Sequence, residues 1–267
     1  MFVGAGSAGC GIAELFVKQL VREGLPETRA RQHIFMVGRY GLLTEKTPVL
    51  KDFQKALSHD KDSYSSWAFE GKFPTLLEVV KSTKASILIG ESGQKGLFTE
   101  EVVTEVAKHS TKPIIFPLSN PSDHSEATPS DIVKWTNGNV IVATGSPFPD
   151  VMFGQTRIKV TQCNNSYISP GLGLGIIASG ANSVTDKMLM IASDTLANAS
   201  DFLDIEDSHL LPSLKDLPRL SKEIAFYVAK VAMMEGNALN MADDDLRNKI
   251  EDIFWEPNYR MYSRTSN

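Results

Sequence analysis

Phe2-Val3-Gly4-Ala5-Gly6-Ser7-Ala8-Gly9 opens the chain on a G-x-G-x-x-G and runs directly into Cys10-Gly11-Ile12-Ala13-Glu14-Leu15-Phe16-Val17-Lys18-Gln19-Leu20-Val21-Arg22-Glu23. Apolar residues at Ala13, Phe16, Val17, Leu20 and Val21 recur at the spacing of one helix face, and Gly24 closes the segment. A β-branched apolar run, Ile34-Phe35-Met36-Val37, comes next. Strand, glycine turn, helix and strand is the order a dinucleotide site needs. The first glycine permits the tight turn, the second lets the backbone approach a pyrophosphate, and the third lets helix and strand pack closely. The helix start then offers unpaired N–H groups and a positive dipole end to the phosphates. A lone glycine motif is weak evidence, because a glycine-rich turn needs no ligand; its place between a strand and an amphipathic helix favours cofactor binding. Gly4, Ala5, Gly6, Ser7, Ala8 and Gly9 are therefore candidate cofactor contacts. Met1-Phe2-Val3 is a short lead-in where a first strand usually supplies about four to six residues. That brevity suggests a tolerated short strand or the back portion of a longer protein.

Working outward, further buried strands are expected at Ala85–Ile89, Ile114–Leu118 and Val140–Ala143, with helices at Leu76–Ser82, Thr99–His109 and Thr128–Trp135. Thr99 precedes Glu100 and Glu101, an N-cap with acids in the first turn. Thr128-Pro129 sets a proline just inside a helix start, where its missing N–H costs nothing. Strands alternating with helices imply an α/β fold, a Rossmann-type doubly wound, mostly parallel sheet with helices on both faces. Residues 44–73 are polar and weakly periodic, and read as an excursion before the third strand.

Ligands in such sheets lie beyond the carboxyl ends of the strands. Three loops occupy that edge: Gly90-Glu91-Ser92-Gly93-Gln94-Lys95-Gly96, Ser119-Asn120-Pro121-Ser122 and Thr144-Gly145-Ser146-Pro147-Phe148. Singly, each is ordinary turn chemistry; together at the edge that carries the glycine loop they predict a binding crevice. Asn164 and Asn165 either cap and turn the chain or add neutral donors suited to a carboxylate. Gly171, Gly173 and Gly175, read as lying just before an apolar helix, suggest close approach to a cofactor or another strand. Beyond residue 180 the chain reads as helices at Lys187–Ala199, Ser221–Glu235 and Asp243–Ile253. Residues 1–180 are thus expected to form the Rossmann core and 181–267 a helical C-terminal extension of the same domain. Ile224, Ala225, Val228, Val231 and Ala232 recur at helical spacing and read as core.

Composition narrows the functions. The 267 residues are 42% hydrophobic and 22% charged with a net charge of −5, values of a folded chain without the basic face of a nucleic-acid binder. Two cysteines, Cys10 and Cys163, supply no disulfide framework or four-cysteine zinc site. No apolar run reaches the ~18 residues of a membrane helix, and no secretory signal is recognised at the start. A cytoplasmic protein without membrane or nucleic-acid partners is expected. The five histidines show no metal-ligand spacing. Lys95 reads as a solvated loop lysine, and Asp243-Asp244-Asp245 as complement to a helix dipole.

Taken together, these segments resemble the C-terminal, nucleotide-binding portion of the malic enzymes, especially the bacterial NAD-dependent type. The carriers are Gly4–Gly9 with Gly11-Ile12-Ala13, GESGQKGLFT (90–99), PLSNPSDHSEATP (117–129), WTNGNVIVATGSPFP (135–149), QCNNSYISPGLGLGIIASGA (162–181) and Phe254–Arg260. The resemblance runs over essentially the whole chain. It implies that Gly4, Gly6, Ser7 and Gly9 form the pyrophosphate loop. Gly90 and Ser92 would be cofactor contacts, Asn120 would touch substrate as well as cofactor, and Asn164 or Asn165 would touch substrate. It implies NAD as cofactor, malate and pyruvate as ligands, a homo-oligomer in which the polar tail with Arg260, Tyr262 and Arg264 reaches a neighbour, and Mg2+ or Mn2+ in the complete enzyme. The family takes its catalytic tyrosine and lysine, substrate arginine and metal ligands from sequence before the glycine loop, so no catalytic residue and no metal ligand are expected in this chain. The chain departs from the family pattern at Ser169-Pro170-Gly171, where Phe-Pro-Gly is usual, and at the end of the second strand.

There the family usually carries an acid, and this chain reads Val37-Gly38-Arg39. An acid at that place binds the adenosine ribose hydroxyls and repels a 2′-phosphate. Gly38 has no carboxylate, and Arg39 beside it is either a solvated charge or a partner for a 2′-phosphate, so NADP stands as the alternative to NAD. Two rival functions share most of these features. A malolactic enzyme would yield lactate with NAD retained, and a non-catalytic dinucleotide-binding module would bind without turnover.

Overall fold

The computed structural model describes residues 1–202, 209–256 and 259. The polar tail singled out above, with Arg260, Tyr262 and Arg264, lies outside the described residues. The chain divides into two compact units, one of residues 1–164 with 201–211 and one of residues 165–200 with 212–267.

In the first unit the strands are β1 (Phe2–Val3), β2 (Met36–Gly38), β3 (Gly41–Leu42), β4 (Ile87–Gly90), β5 (Ile114–Pro117), β6 (Ile141–Thr144), β7 (Val151–Phe153), β8 (Thr156–Ile158) and β9 (Val160–Gln162). Its helices are α1 (Ser7–Arg22), α2 (Glu27–Gln32), α3 (Asp52–Lys55), α4 (Leu76–Thr83), α5 (Glu100–Ala107) and α6 (Pro129–Trp135). Among the described residues seven strands form one sheet in the order β3-β2-β1-β4-β5-β6-β9. Every neighbouring pair is parallel except β2–β3, a hairpin that pairs Gly38 with Gly41. Strands β7 and β8 form a separate antiparallel hairpin. The order reverses between β1 and β4, and that reversal creates the crevice at the strands' carboxyl ends.

The period of two along each strand explains why both faces are covered. Val3, Val37 and Leu88 pack into one cluster with Val79 and Val80 of α4, Val103 of α5 and Ile132 of α6. Their chain neighbours Phe2, Met36 and Ile89 point the other way, into a cluster with Ala13 and Val17 of α1 and Ala30 of α2. The helix starts follow local chemistry. Thr75 caps α4 in a reciprocal box with Glu78, the Thr99 hydroxyl accepts from the Val102 N–H, and the Thr128 hydroxyl accepts from Asp131 with Pro129 in the first turn. Arg31 of α2 holds α1 through paired bonds of 2.8 and 3.0 Å to Glu14.

The polar stretch 44–73 is less of an excursion than its composition suggests. Tyr64 is buried, and His59 stacks on Phe35 with its ring nitrogen 2.8 Å from the Ile34 carbonyl. Burial lowers the His59 pKa below its ordinary value, which favours the neutral ring in its packed position near pH 7.

The second unit is helical: α7 (Ser169–Ser179), α8 (Asp186–Asn198), α9 (Leu217–Met234) and α10 (Asp243–Ile253). Gly171, Gly173 and Gly175 are not ahead of a helix but inside α7, and this corrects the expected approach to a cofactor or strand. A Cβ on Gly171 would lie 2.7 Å from Ile224 Cβ, and one on Gly175 would lie 2.7 Å from the Ala225 carbonyl oxygen. The absent side chains let α7 and α9 touch backbone to side chain. The partner is a helix, which the one-dimensional pattern cannot name. The break between units accordingly comes at Asn164–Asn165, ahead of α7, where the sequence reading set a boundary at residue 180. Ile224, Ala225, Val228 and Ala232 of α9 are fully buried. Asp243 in the first turn of α10 meets Lys230 at 2.6 Å. No helix among the described residues is long and apolar enough to cross a membrane.

Candidate cofactor crevice

The glycine loop is fixed from both sides by its neighbours in the sheet. The Gly4 N–H donates to the Val37 carbonyl at 2.8 Å, and the Glu91 N–H donates to the Val3 carbonyl at 2.7 Å. Gly4 takes φ +119°, and a Cβ there would overlap the Glu91 carbonyl; one on Gly9 would overlap the Gly4 carbonyl. Both positions therefore need glycine for internal reasons. Gly6 differs. It is the N-cap of α1 with extended backbone, it supplies no side-chain cap, and a Cβ there would have no atom within 4 Å. The first turn of α1, Ser7-Ala8-Gly9, contains no acidic residue. An open glycine at an uncapped helix start suits a bound pyrophosphate, so the residues present fit a dinucleotide. From the polar stretch 44–73 the Gln54 amide donates to the Ala5 carbonyl at 2.5 Å and steadies the loop.

Gly38 stands beside this loop: a Cβ on it would lie 3.4 Å from the Ala5 Cβ. Arg39 at the hairpin tip is exposed and forms no ion pair among the described residues.

The loops after β4 and β5 are tied together by a residue the sequence reading passed over. Glu126 is completely buried. Its carboxylate accepts from the Ser92 N–H at 2.8 Å, the Ser92 hydroxyl at 2.6 Å and the Ser119 hydroxyl at 2.5 Å. The Ser119 hydroxyl accepts in turn from the Gly93 N–H at 2.8 Å. Gly90 lies against the same carboxyl, since a Cβ there would approach Glu126 Cδ to 2.5 Å. The Ser92 side chain is thus engaged inside the protein. An acid among polar residues in Ser125-Glu126-Ala127 carries no local mark of burial, which is why only its partners reveal its role.

The amides gather around Gly145. Asn120 donates to the Leu118 carbonyl at 3.2 Å and accepts from the Ser146 hydroxyl at 2.6 Å. Gln162 and Asn164 each direct a side-chain amide at the Gly145 carbonyl, at 3.3 and 3.4 Å. The structure therefore brings Asn120 and Asn164, both exposed, to the ends of β5, β6 and β9. Asn165 belongs to the second unit, where it opens the short turn 165–167.

Burial pushes the Cys163 thiol up, with Glu91 adding to the effect, and burial with Glu14 pushes Cys10 up to about 11. Neither is a thiolate nucleophile near neutral pH. Among the described residues no three His, Cys, Asp or Glu side chains converge to hold a metal ion. The arrangement can hold a dinucleotide and orient a small carboxylate. Among the described residues it offers no ligand set that fits Mg2+ or Mn2+.

Comparison with known proteins agrees with this geometry. The model of the malic enzyme NAD-binding domain matches residues 1–233. The NAD-dependent malic enzyme of Idiomarina loihiensis is 51% identical over 266 residues, covering 100% of this chain and 47% of that protein. That of Acinetobacter baylyi is 51% identical over 263 residues, covering 98% and 46%. The chain spans about half the length of the curated relatives it matches. In fold, it superposes on malic enzymes from Entamoeba histolytica (TM-score 0.70, 23% identity, 94% of this chain and 46% of that one) and Pyrococcus horikoshii (TM-score 0.68, 21% identity, 94% and 52%). A sheet whose order reverses beside an uncapped glycine loop, and a sequence half identical to these relatives, have one common account: the chain belongs to the malic enzyme family, as its NAD-binding domain.

Proposed function

We propose that this chain binds NAD in the crevice between the ends of β1 and β4 and serves as the cofactor half of an enzyme that oxidises malate and releases carbon dioxide to give pyruvate. The observation that carries the reading is the contrast among the loop glycines: Gly4 and Gly9 are required by the protein's own atoms, whereas the space over Gly6 is open. Bound NAD supplies the hydride acceptor. The chain's own residues do the placing. The α1 start binds the pyrophosphate, Glu126 holds the β4 and β5 loops in register, and Asn120 and Asn164 offer amide donors to a substrate carboxylate. Proton-transfer groups and the ligands of a divalent cation are assigned to sequence outside these 267 residues. In this reading the working enzyme is a cytoplasmic homo-oligomer.

Two measurements test the assignment. Gly6→Ala is expected to change stability by less than about 1 kcal/mol, the range for an N-cap change. NAD affinity should fall about tenfold, because a methyl group replaces a close phosphate contact worth roughly one charge-assisted hydrogen bond. Calorimetric titration with NAD beside urea denaturation reads both; unchanged affinity would remove the pyrophosphate from this loop. Residues 1–267 alone are expected to show no malate-dependent reduction of NAD, since each absent proton-transfer group is worth about 10²-fold or more. Turnover with malate and a divalent cation would overturn the division of labour.

A further inference from the structure

We propose that Glu91 makes NAD binding proton-linked: its carboxyl group, beside the glycine loop at the end of β4, takes up a proton from solvent when the dinucleotide's pyrophosphate arrives. The inference rests on the reading that NAD binds in this crevice. Glu91 is the first residue after β4, at the point where the sheet order reverses. Its carbonyl lies over Gly4, and its Cβ is 3.6 Å from where a Cβ of Gly9 would stand, so the side chain leaves the backbone against the first turn of α1.

The surroundings leave that carboxyl without a counter-charge. The first turn of α1, Ser7 to Cys10, has no charged side chain, and the Cys10 thiol is neutral. From the segment before α6 the buried Glu126 adds a like charge, and from the end of β9 Cys163 faces it with a thiol. No hydrogen bond or ion pair to the Glu91 carboxyl forms among the described residues. Desolvation first, and the charge of Glu126 second, raise its pKa above the usual carboxylate range. A pyrophosphate brought to the same helix start adds negative charge to a group already disfavoured as an anion, and the neutral acid relieves it.

Calorimetric titration of NAD between about pH 5.5 and pH 8, in buffers of different ionisation enthalpy, tests this. Affinity should fall by up to about tenfold per pH unit above the carboxyl pKa, with one proton taken up at the upper end. Glu91→Gln keeps the shape without the charge. It should bind NAD with a flat pH profile and about tenfold more tightly than the original chain near pH 8. Glu91→Ala should show the same flat profile. A Gln variant that keeps the original slope, or binds more weakly at every pH, overturns the proposal while NAD binding stands. Absence of NAD binding by all three folded proteins at every pH removes the cofactor reading and this inference with it.

Discussion

Glu126→Ala is expected to destabilise the chain by about 3–5 kcal/mol, the scale for removing one side of a buried, charge-assisted network. That is a large share of the ~5–15 kcal/mol that holds a domain folded. The carboxylate lies in the interior and gathers the Ser92 N–H, the Ser92 hydroxyl and the Ser119 hydroxyl, all within 2.8 Å. Alanine would leave these donors facing a cavity in place of the carboxylate. Glu126→Gln keeps the volume and one acceptor oxygen, and the two hydroxyls can rotate, so its cost should be smaller, about 1–3 kcal/mol. Urea denaturation followed by circular dichroism orders the three proteins. If Glu126→Ala came within about 0.5 kcal/mol of the original, the usual range for a surface change, the network would not hold the loops. A milder consequence concerns function: this carboxylate joins the β4 loop at Ser92 to the β5 loop at Ser119, beside the Gly93 N–H bond to the Ser119 hydroxyl and the Phe98 N–H bond to the Glu126 carbonyl, so NAD affinity should fall in the glutamine variant even where it remains folded.

Much of the fold was readable because its information is local. Thr99, Thr128 and Pro129 mark helix starts by chemistry that acts within one turn, and the strands β4, β5 and β6 are mostly apolar because their residues pack into clusters on the sheet faces. What escaped notice depends on distant partners. β9 (Val160–Gln162) has three residues and exists because β6 is there to receive it. The three glycines of α7 look like a loop in one dimension; the nearness of Ile224 and Ala225 explains Gly171 and Gly175, whereas Gly173 faces open space. The site divides in the same way. Gly4, Gly6 and Gly9 announce themselves by spacing, and Asn120 and Asn164 by standing after strands. Glu126 and Gln54 contact residues tens of positions away, and their immediate neighbours in sequence give no sign of it.

The same proximity logic makes Gly38→Asp the most informative gain-of-function change. Gly38 ends β2 next to the glycine loop, on the side of β1 opposite β4, where the adenosine half of a dinucleotide would extend from the pyrophosphate. Its backbone takes no positive φ, and its Cβ would sit 3.4 Å from the Ala5 Cβ, an ordinary contact. An aspartate therefore fits without moving the loop and would offer a carboxylate to a ribose lying at the end of β2. Charge-assisted hydrogen bonds of about 1.5–3 kcal/mol should tighten NAD binding roughly ten- to hundredfold. The same charge repels a 2′-phosphate, so NADP should weaken and the ratio of the two affinities should shift by about a hundredfold or more. Arg39, exposed at the hairpin tip, is the neighbouring charge to vary alongside Gly38. If it pairs with a 2′-phosphate, the original chain discriminates poorly and Arg39→Ala lowers NADP affinity alone. If it is a solvated charge, that variant changes neither affinity and the gain from aspartate at 38 is unaffected. Parallel calorimetric titrations with both cofactors read these outcomes. Equal responses of NAD and NADP to Gly38→Asp would mean that the end of β2 does not face the ribose, and the cofactor would have to lie across the crevice in another direction.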